Sequence, residues 1–296
     1  MLLRSFDSNR FKYVQPSSHD VGEIDFVYDV LRLDERLLIE AFRRADAPIR
    51  LINAEAIPAP DGLGNFGIIR TAGRSKVIPL AYTYEAKGGV SINSAESLRI
   101  SHDKYLTYLA LARAGVPTPR TKLAFGLDAA MKAAEELGYP VIVKPLDGSW
   151  GRLVSLAKSP EDLASIVAHR RQLESSMQDF LVQEYVEKPG RDIRVTVVNG
   201  RAIAAIYRIA PAEWRTNTAR GGRAEPVKID AELEEVSVKA AEATRTLYAG
   251  IDVVESKDGY KVLEVNGVPE FKNVQRVTGV DVAGEIAGMV LGLFKR

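Results

Sequence analysis

The chain has 296 residues, and its 40 lysines and arginines nearly balance 39 aspartates and glutamates, giving a net charge of +1. This balance gives no reason to expect binding to nucleic acid or to a membrane surface. The chain has no cysteine, which excludes disulfides and zinc–thiolate sites. It has only three, widely spaced histidines, which disfavours a histidine metal site or a Ser-His-Asp triad. Any chemistry must therefore rest on carboxylates, lysine, arginine and asparagine.

The beginning of the chain shows no targeting segment. Residues 1–20 lack the apolar stretch of a signal peptide, and we interpret them as a disordered leader or as the result of a start codon placed too early. No apolar run approaches the ~20 residues that cross a bilayer. We therefore expect a cytoplasmic protein.

Residues 21–100 are predicted to form an N-terminal α/β domain. Strand-like segments at 23–29 and 49–55 flank a segment at 33–45 whose apolar residues recur at helical spacing. This alternation is typical of a βαβ unit with a parallel sheet. Further strands are expected at 66–73 and 90–94, with a helix over Val77–Ala86 between them.

A second lobe is predicted over residues 101–183. Asp103 begins a helix that ends at Gly115, where two prolines follow. Later elements of this lobe are a helix at 128–138, a short buried strand at 140–145 and a helix near Pro160–Arg171.

Residues 184–296 are predicted to form a third lobe that opens with a hairpin. Both residues of Asn199-Gly200 tolerate positive φ, which favours a two-residue turn. Such a turn places Asp192 opposite Tyr207. Later elements are a helix over 231–250, a hairpin over 251–266 and a closing helix over Val282–Lys295.

Two carboxylates and a carboxamide are predicted to share one face of that last hairpin. With a three-residue loop, Lys257–Gly259, Asp252 lies opposite Glu264, and Asn266 falls on the same face. Opposed carboxylates repel unless a cation lies between them. Carboxylate and carboxamide oxygens suit Mg²⁺, so we predict a metal site here. A solvated strand face carrying these charges by chance is the alternative.

Lys144 ends an apolar strand shortly before a glycine-bearing loop made of Gly148, Ser149, Trp150 and Gly151. Glycines let backbone amides approach an anion, and a lysine adds the positive charge that a triphosphate needs. These five residues are therefore candidates for phosphate binding. The loop is not a Walker A motif, and a plain turn is the alternative.

Two further segments have polar residues suited to a nucleotide. Gln183, Glu184, Tyr185 and Val186 end a predicted strand and offer backbone groups to a purine, and Asp192 is suited to ribose hydroxyls. A strand end followed by a turn is the alternative.

A polar loop further along the chain is rich in arginine. Arg215, Arg220 and Arg223 flank Asn217, and such a cluster can neutralise a phosphoryl group. A flexible, solvated loop is the alternative.

Taken in order, these features resemble the ATP-grasp fold over nearly everything after Val21. The stretches that carry the resemblance are GSWGRLV at 148–154, VQEYVEKPGRDIRV at 182–195, TNTARGG at 216–222 and EVNGVPEFKN at 264–273. They are similar to those of ribosomal-protein glutamate ligases, and closer still to ligases that attach α-aminoadipate or glutamate to an amino-group carrier protein in lysine and arginine biosynthesis. The fold implied is α/β, with a pre-ATP-grasp βαβ domain at the N-terminus.

The resemblance also implies individual roles. Lys104 would join Lys144 at the ATP phosphates, and the three predicted metal ligands would hold two Mg²⁺ ions, which Mn²⁺ can replace. Residues expected to steady the acyl phosphate and the amino acid are Arg194, Arg215, Asn217 and Arg223. Residues expected near the substrate side chain are Gly267, Val268, Pro269, Glu270, Phe271 and Lys272.

The reaction implied by the resemblance passes through an acyl phosphate. The γ-phosphate of ATP would move to the C-terminal glutamate carboxylate of an acidic amino-group carrier protein, and the amino group of α-aminoadipate or glutamate would then displace phosphate. A basic groove that includes Arg70, Arg74 and Lys76 is expected to receive the carrier. A homodimer or homotetramer is expected, with no nucleic acid or membrane partner.

Four alternatives remain open at this stage. Lysine-pathway members can carry an Asn-His-Thr-Met type sequence where this chain has Asn266-Gly-Val-Pro, so strict α-aminoadipate specificity, glutamate specificity or both remain possible. A ligase that glutamylates a ribosomal protein or cofactor would share the ATP site. An ATP-grasp kinase and a noncatalytic nucleotide-binding module are the other two.

Overall fold

The computed structural model describes residues 22–148, 152–173, 179–209 and 223–295. These residues form a mixed α/β structure with three sheets. Within these ranges no single helix has the length and hydropathy to cross a membrane; Lys272–Thr278 and Val282–Phe294 meet the criterion only as a pair, across a bend of 118°. The domain boundaries at residues 101 and 184 stay predictions.

The first sheet is parallel, as the alternation of strands and helices predicts, and its strand order is β2-β1-β3-β4. Its elements are β1 (Ile24–Tyr28), α1 (Leu33–Arg44), β2 (Ile49–Asn53), β3 (Phe66–Arg70), α2 (Arg74–Ala86) and β4 (Val90–Ile92). The strand order reverses between β1 and β3, and the carboxyl ends of strands at such a reversal are where open α/β sheets ordinarily bind ligands.

The second sheet is antiparallel, with the order β5-β8-β6-β7. Its elements and the preceding helices are α3 (Ala95–Ser101), α4 (Lys104–Arg113), β5 (Thr121–Ala124), α5 (Leu127–Leu137), β6 (Val141–Pro145), β7 (Ser155–Ala157), α6 (Pro160–Arg170) and β8 (Phe180–Glu184). The Asp103 side chain caps α4 by accepting hydrogen bonds from the amides of Tyr105 and Leu106. The predicted start of this helix is confirmed.

The third sheet is also antiparallel, with the order β11-β10-β9-β12-β13. Its elements are β9 (Arg191–Val198), β10 (Arg201–Ile209), β11 (Arg223–Pro226), α7 (Ala231–Ala243), β12 (Tyr248–Ser256), β13 (Gly259–Asn266), α8 (Lys272–Thr278) and α9 (Val282–Phe294). The helix predicted over 231–250 is too long, because Arg245 has a positive φ of 59° and Tyr248 already pairs with Val198. The sequence did not reveal β11 or α8.

The register predicted for the β9–β10 hairpin is correct near its turn and wrong beyond it. Arg201 pairs with Val198, but an extra residue, Ile203, forms a bulge on β10. Asp192 therefore lies opposite Arg208 and not opposite Tyr207. A bulge shifts every later pair by one position, which alternation alone does not reveal.

The loop predicted for the β12–β13 hairpin is wrong, whereas the pairing that it was meant to produce is confirmed. Ser256 pairs with Gly259, so the turn has two residues rather than three. A bulge at Leu263 then restores the parity, and Asp252 lies opposite Glu264.

The largest apolar core joins the first and third sheets. It contains Phe26 and Phe42 from the part of the chain before residue 101, called the first unit below. The same core contains Tyr248, Phe271 and Ile286 from the part that carries the third sheet. Separate cores lie between α7 and the third sheet and beneath the second sheet. The first unit is therefore packed against the sheet that carries the predicted metal ligands.

Candidate functional site

The predicted metal ligands lie together at the end of two paired strands. Asp252 on β12 is directly opposite Glu264 on β13, and Asn266 is opposite Gly250. The Asn266 side-chain amide lies 3.4 Å from Glu264 Oε1 and donates to the carbonyl of Gly250 at 3.2 Å. Two carboxylates and a carboxamide therefore share one small face. We call this face, formed by the predicted metal ligands Asp252, Glu264 and Asn266, the metal face.

Two arginines hold Asp252, of which Arg208 is buried and Arg194 is partly buried. Arg194 forms a two-point contact with its carboxylate, and Arg208 Nη2 lies 3.0 Å from Oδ2. Burial acts to raise the pKa of Asp252, but the two guanidinium groups outweigh it and hold the pKa below its ordinary value. The carboxylate is therefore ionised at neutral pH and available as a metal ligand.

Arg208 also connects the metal face to the predicted ribose residue. Its Nε atom lies 2.6 Å from Asp192 Oδ1, and Lys188 lies 3.6 Å from Oδ2 of the same carboxylate. Burial lowers the pKa of Arg208 while Asp252 and Asp192 raise it, and the carboxylates prevail. We did not predict Arg208 from the sequence, because only the bulge at Ile203 brings it opposite Asp192.

Lys144 and Lys104 stand at the start of the glycine-bearing loop. Lys144 lies in β6, and burial lowers the pKa of its ammonium group to about 8. Lys104 and Lys188 also lower it, whereas Glu264 opposes them. Lys104 Nζ donates to the carbonyl of Gly148 at 2.6 Å. The structure thus brings both predicted phosphate-binding lysines to the edge of the metal face.

Among the described residues, the side chains on and beside this face carry more positive than negative charge. Its cations are Lys104, Lys144, Lys188, Arg194 and Arg208, and its carboxylates are Asp192, Asp252 and Glu264. An excess of positive charge among partly buried side chains suits a polyanion. Within this set, Lys104 and Lys188 add to the effect of burial in lowering the pKa of Lys144.

The predicted purine segment follows β8 into the connection between the second and third sheets. Gln183 is buried and donates to the Thr121 hydroxyl at 2.8 Å. Burial raises the pKa of Glu184, but Arg120 and Lys261 outweigh it, so the pKa lies below its ordinary value. Glu184 therefore links the second sheet to β13, while Tyr185, like Val186, remains half-buried beyond the strand.

The segment 267–272 packs against the first unit. Phe271 is fully buried in the shared core, and Gly267 and Pro269 are also buried. Val268, Glu270 and Lys272 remain partly exposed. The Phe271 ring therefore packs in the core, whereas the charged side chains of the segment, Glu270 and Lys272, reach the surface.

The predicted carrier groove is wrong at Arg70. That side chain is 1% exposed, pairs with Glu35 at 3.0 Å and donates to the Pro269 carbonyl, so it cannot meet a partner protein. Lys76 is exposed but bonded to Asp29 and Glu55. Docking through Arg74 and Lys76 stays a prediction.

Several predicted site residues lie outside the described residues, namely Ser149, Trp150, Gly151, Arg215, Arg220 and Asn217. Of their neighbours, Gly148 has a positive φ of 126°, which favours glycine there. Arg223 begins β11 and is exposed, with Glu225 at 2.9 Å. The structure therefore does not bring Arg223 into the cluster around Asp252.

The donor set is compatible with Mg²⁺ but incomplete by itself. Among the described residues no group of three or more His, Cys, Asp or Glu side chains is placed to hold a metal ion. Asp252, Glu264 and the Asn266 oxygen provide three donors, and Mg²⁺ ordinarily completes its octahedron with phosphate and water oxygens. The face is therefore suited to a metal that arrives with a phosphate ligand.

Comparison with known proteins identifies relatives along most of the chain. A family model described as the RimK-like ATP-grasp domain matches residues 101–290. Glutamate–LysW ligase ArgX of Sulfurisphaera tokodaii is 36% identical over 267 residues, which cover 88% of this chain and 95% of the relative. Alpha-aminoadipate–LysW ligase LysX of Saccharolobus solfataricus is 39% identical over 218 residues, 73% of this chain and 79% of the relative.

Among solved structures, a RimK domain ATP-grasp protein of Sphaerobacter thermophilus superimposes with a TM-score of 0.75. Its sequence identity is 29%, and the match covers 92% of this chain and all of that chain. The overall fold described above is therefore shared with that crystal structure.

Proposed function

This chain belongs to the RimK-like ATP-grasp family, and we propose that it is an ATP-dependent carboxylate–amine ligase. Its substrates would be α-aminoadipate, glutamate or both, and its acceptor the C-terminal glutamate of an acidic carrier protein of the LysW type. The products would be an amide, ADP and phosphate, in lysine or arginine biosynthesis. Relatives that carry these names span most of the chain and support the assignment.

One structural observation carries the proposal: the cationic Lys104 and Lys144 lie beside the opposed pair Asp252 and Glu264. Phosphoryl transfer needs positive charge around the triphosphate and carboxylate ligands for Mg²⁺ at its edge. Both requirements are met within one face. A protein that binds only carboxylates or nucleosides would not need this combination.

We assign the nucleotide to the cleft between the second and third sheets. Lys104, Lys144 and the Gly148 loop would contact the phosphates, and Gln183 to Val186 would provide backbone groups to the adenine. Asp192 would accept hydrogen bonds from the ribose hydroxyls, with Arg208 holding its carboxylate in place. The contribution of Ser149, Trp150 and Gly151 stays a prediction from the resemblance.

Asp252, Glu264 and Asn266 would hold the divalent metal, which we propose to be two Mg²⁺ ions with Mn²⁺ as a substitute. When bound, Mg²⁺ neutralises charge on the phosphoryl oxygens and orients them for transfer. Arg194 and Arg208 keep Asp252 ionised and fix its orientation. Metal ligands that are held in this way by hydrogen bonds bind more tightly.

The chemical sequence has two steps. A carrier carboxylate oxygen forms a bond to the γ-phosphorus while the bond to ADP breaks, giving an acyl phosphate. The deprotonated amino group of the second substrate then attacks the acyl carbon and phosphate leaves. Arg194, which borders the metal face, would stabilise charge that develops on the acyl phosphate; Arg215 and Asn217 are proposed to assist.

The carrier and the amino acid would meet the nucleotide at the metal face. Because the carrier would be acidic, the excess of cations around Lys144 would favour its approach. We also propose a homodimer or homotetramer that acts in the cytoplasm, on the basis of the family resemblance alone.

The decisive experiment combines ADP release with intact mass spectrometry of the carrier. The protein is incubated with Mg·ATP and a purified LysW-type carrier, and α-aminoadipate or glutamate is added in turn. We expect one ADP per modified carrier and a mass gain of one amino acid less one water. A carrier whose terminal glutamate is replaced by alanine is the matched control and should remain unmodified.

Other outcomes would identify other activities. ADP formation that does not depend on an amino acid and leaves the carrier mass unchanged would contradict the ligase assignment and indicate a kinase. Modification of a ribosomal-protein tail but not of the carrier would indicate a peptide-glutamylating ligase; relatives named probable alpha-L-glutamate ligase, such as that of Haemophilus influenzae, are 34% identical over 205 residues.

A further inference from the structure

Residues 267–272, which follow the predicted metal ligand Asn266, are anchored by the first unit at alternate positions. The Asn93 amide donates to the carbonyl of Gly267 at 2.7 Å, and Arg70 donates to the carbonyl of Pro269 at 3.0 Å. The Asp34 carboxylate accepts from the amides of Phe271 at 2.6 Å and Lys272 at 2.8 Å. These bonds fix the backbone of the segment throughout its length.

The anchoring groups are fully buried. Asp34 and Glu35 are 0% exposed, and Arg70 and Asn93 are each 1% exposed. Burying charged groups is costly, and apolar residues of similar volume often stabilise a fold equally well. The shared core around Phe271 already packs the first unit onto the third sheet. Attachment of the two units alone therefore does not account for the charged network.

The network occupies the place where an open parallel sheet ordinarily binds a ligand. Glu35 follows β1 and Arg70 ends β3, and the strand order reverses between these two strands. The crevice at such a reversal is the usual ligand site of α/β sheets. Here it is filled by the chain's own segment, because Arg70 reaches from the crevice to Pro269.

The anchored segment leads directly to the metal face. A side-chain carbon placed on Gly250 would lie 2.8 Å from Arg194 Nη1 and 3.0 Å from the Cβ atom of Pro269. Pro269 and Arg194 thus both lie next to Gly250 on β12. Arg194 also contacts Asp252. A chain of neighbouring residues therefore runs from Glu35 in the first unit through Arg70 and Pro269 to the Gly250 position, which Arg194 also borders.

We propose that Asp34 and Arg70 are positioning residues that fix segment 267–272 beside the metal face and thereby set how the incoming 2-amino dicarboxylic acid is selected. This inference rests on the proposed ligase function. The partly exposed Glu270 and Lys272, 3.2 Å apart, provide charges of both signs, as a zwitterionic dicarboxylate requires. Asp34 also orients the Lys272 ammonium directly, because its Oδ2 lies 3.2 Å from Nζ. The lysines that face the nucleotide lie elsewhere, so nucleotide binding should be independent of the anchors.

The test compares Asp34→Ala with Asp25→Ala. Asp25 is a matched control because it is also 0% exposed and accepts from an arginine, Arg50, at 2.7 Å and from a backbone amide, that of Gly64, at 2.6 Å. It does not contact segment 267–272 in the described residues. Both variants lose a buried carboxylate from the same unit, so a merely structural effect would change them alike.

We expect Asp34→Ala to raise the KM for the amino acid at least tenfold and to change the ratio of kcat/KM for glutamate over α-aminoadipate at least fivefold. The KM for ATP should stay within twofold. Asp34→Asn keeps an oxygen acceptor for both amides but loses the contact of Oδ2 with Lys272 Nζ, so it should recover part of the amino-acid affinity. Asp25→Ala should leave the ratio between the two amino acids unchanged.

A second variant keeps the test valid if Asp34→Ala fails to fold. Arg70→Lys keeps a positive charge beside Glu35 but offers fewer donors for Pro269, and it should shift the amino-acid ratio in the same direction. If the wild-type protein modifies the carrier and both variants retain its ratio, the positioning role is overturned while the ligase function stands. Wild-type protein that modifies no carrier overturns the ligase function, and this inference with it.

Discussion

Nucleotide affinity should fall as the pH rises through 8, because Lys144 loses its proton there. Burial lowers its pKa from 10.5 to about 8, and a triphosphate binds the charged form. At pH 7.5 about three quarters of the side chain is protonated, and at pH 9 about a tenth. The apparent Kd for Mg·ATP should therefore rise about eightfold between these values, or roughly 1.2 kcal/mol.

Isothermal titration calorimetry in two buffers of different ionisation enthalpy measures both parts of this prediction. Binding at pH 8 should take up about half a proton, because the bound phosphates raise the pKa of Lys144 again. Lys144→Arg is the control: a guanidinium stays charged throughout this range, so its Kd should change less than twofold. A wild-type Kd that changes as little with pH as that of Lys144→Arg, with no proton uptake on binding, would refute the reasoning.

The same lowered pKa predicts an effect on stability with a defined sign. Because the folded pKa lies below that of the unfolded chain, the unfolded state binds more protons between pH 8 and 10.5. The free energy of unfolding should therefore rise across this window, by at most about 3 kcal/mol because the side chain is only partly buried. Lys144→Met should abolish this rise in urea titrations.

Three further predictions concern the metal face. Asp252→Asn should lower kcat for ADP formation about 10²-fold or more, since it removes a metal-ligand charge, and a kcat within threefold of wild type would contradict that role. Arg208→Met leaves Asp192 and Asp252 without their shared partner and should cost about 3–5 kcal/mol of unfolding free energy in urea titrations; a loss below about 1 kcal/mol would count against a buried network. Gly250→Ala pushes a methyl group against Arg194, so it should lower the free energy of unfolding by about 1–3 kcal/mol and abolish most of the activity. The control is Gly292→Ala on α9, whose added methyl group meets no atom within 4 Å. This control should leave stability and activity unchanged or slightly improved.

The parts of the fold that follow from local patterns were predictable from the sequence. Alternating strands and helices gave the parallel first sheet, and the Asp103 cap gave the start of α4. The choice of Asp252, Glu264 and Asn266 as a group followed from their spacing and from the chemistry of oxygen ligands. These signals depend on residues close in sequence, so they survive without knowledge of the tertiary structure.

The buried arginines were not predictable in the same way. Arg70 was expected at an open surface, as part of a basic groove for an acidic carrier, but Glu35, 35 positions earlier, and Pro269, 199 positions later, enclose it. Arg208 was overlooked for a similar reason. Whether an arginine lies in solvent or in a charged network depends on distant partners, and a single sequence does not show which residues those are.

The two bulges in the third sheet explain how hairpins with two-residue turns still place charged residues opposite one another. Both observed turns have two residues, Asn199-Gly200 in the first hairpin and Lys257-Asp258 in the second. A regular ladder from those turns would place Tyr207 opposite Asp192 and Leu263 opposite Asp252. One extra residue in each hairpin, Ile203 and Leu263, instead brings Arg208 to Asp192 and Glu264 to Asp252. The charged face therefore requires both insertions, and the apolar residues on the opposite face keep their burial because each bulge is confined to one strand.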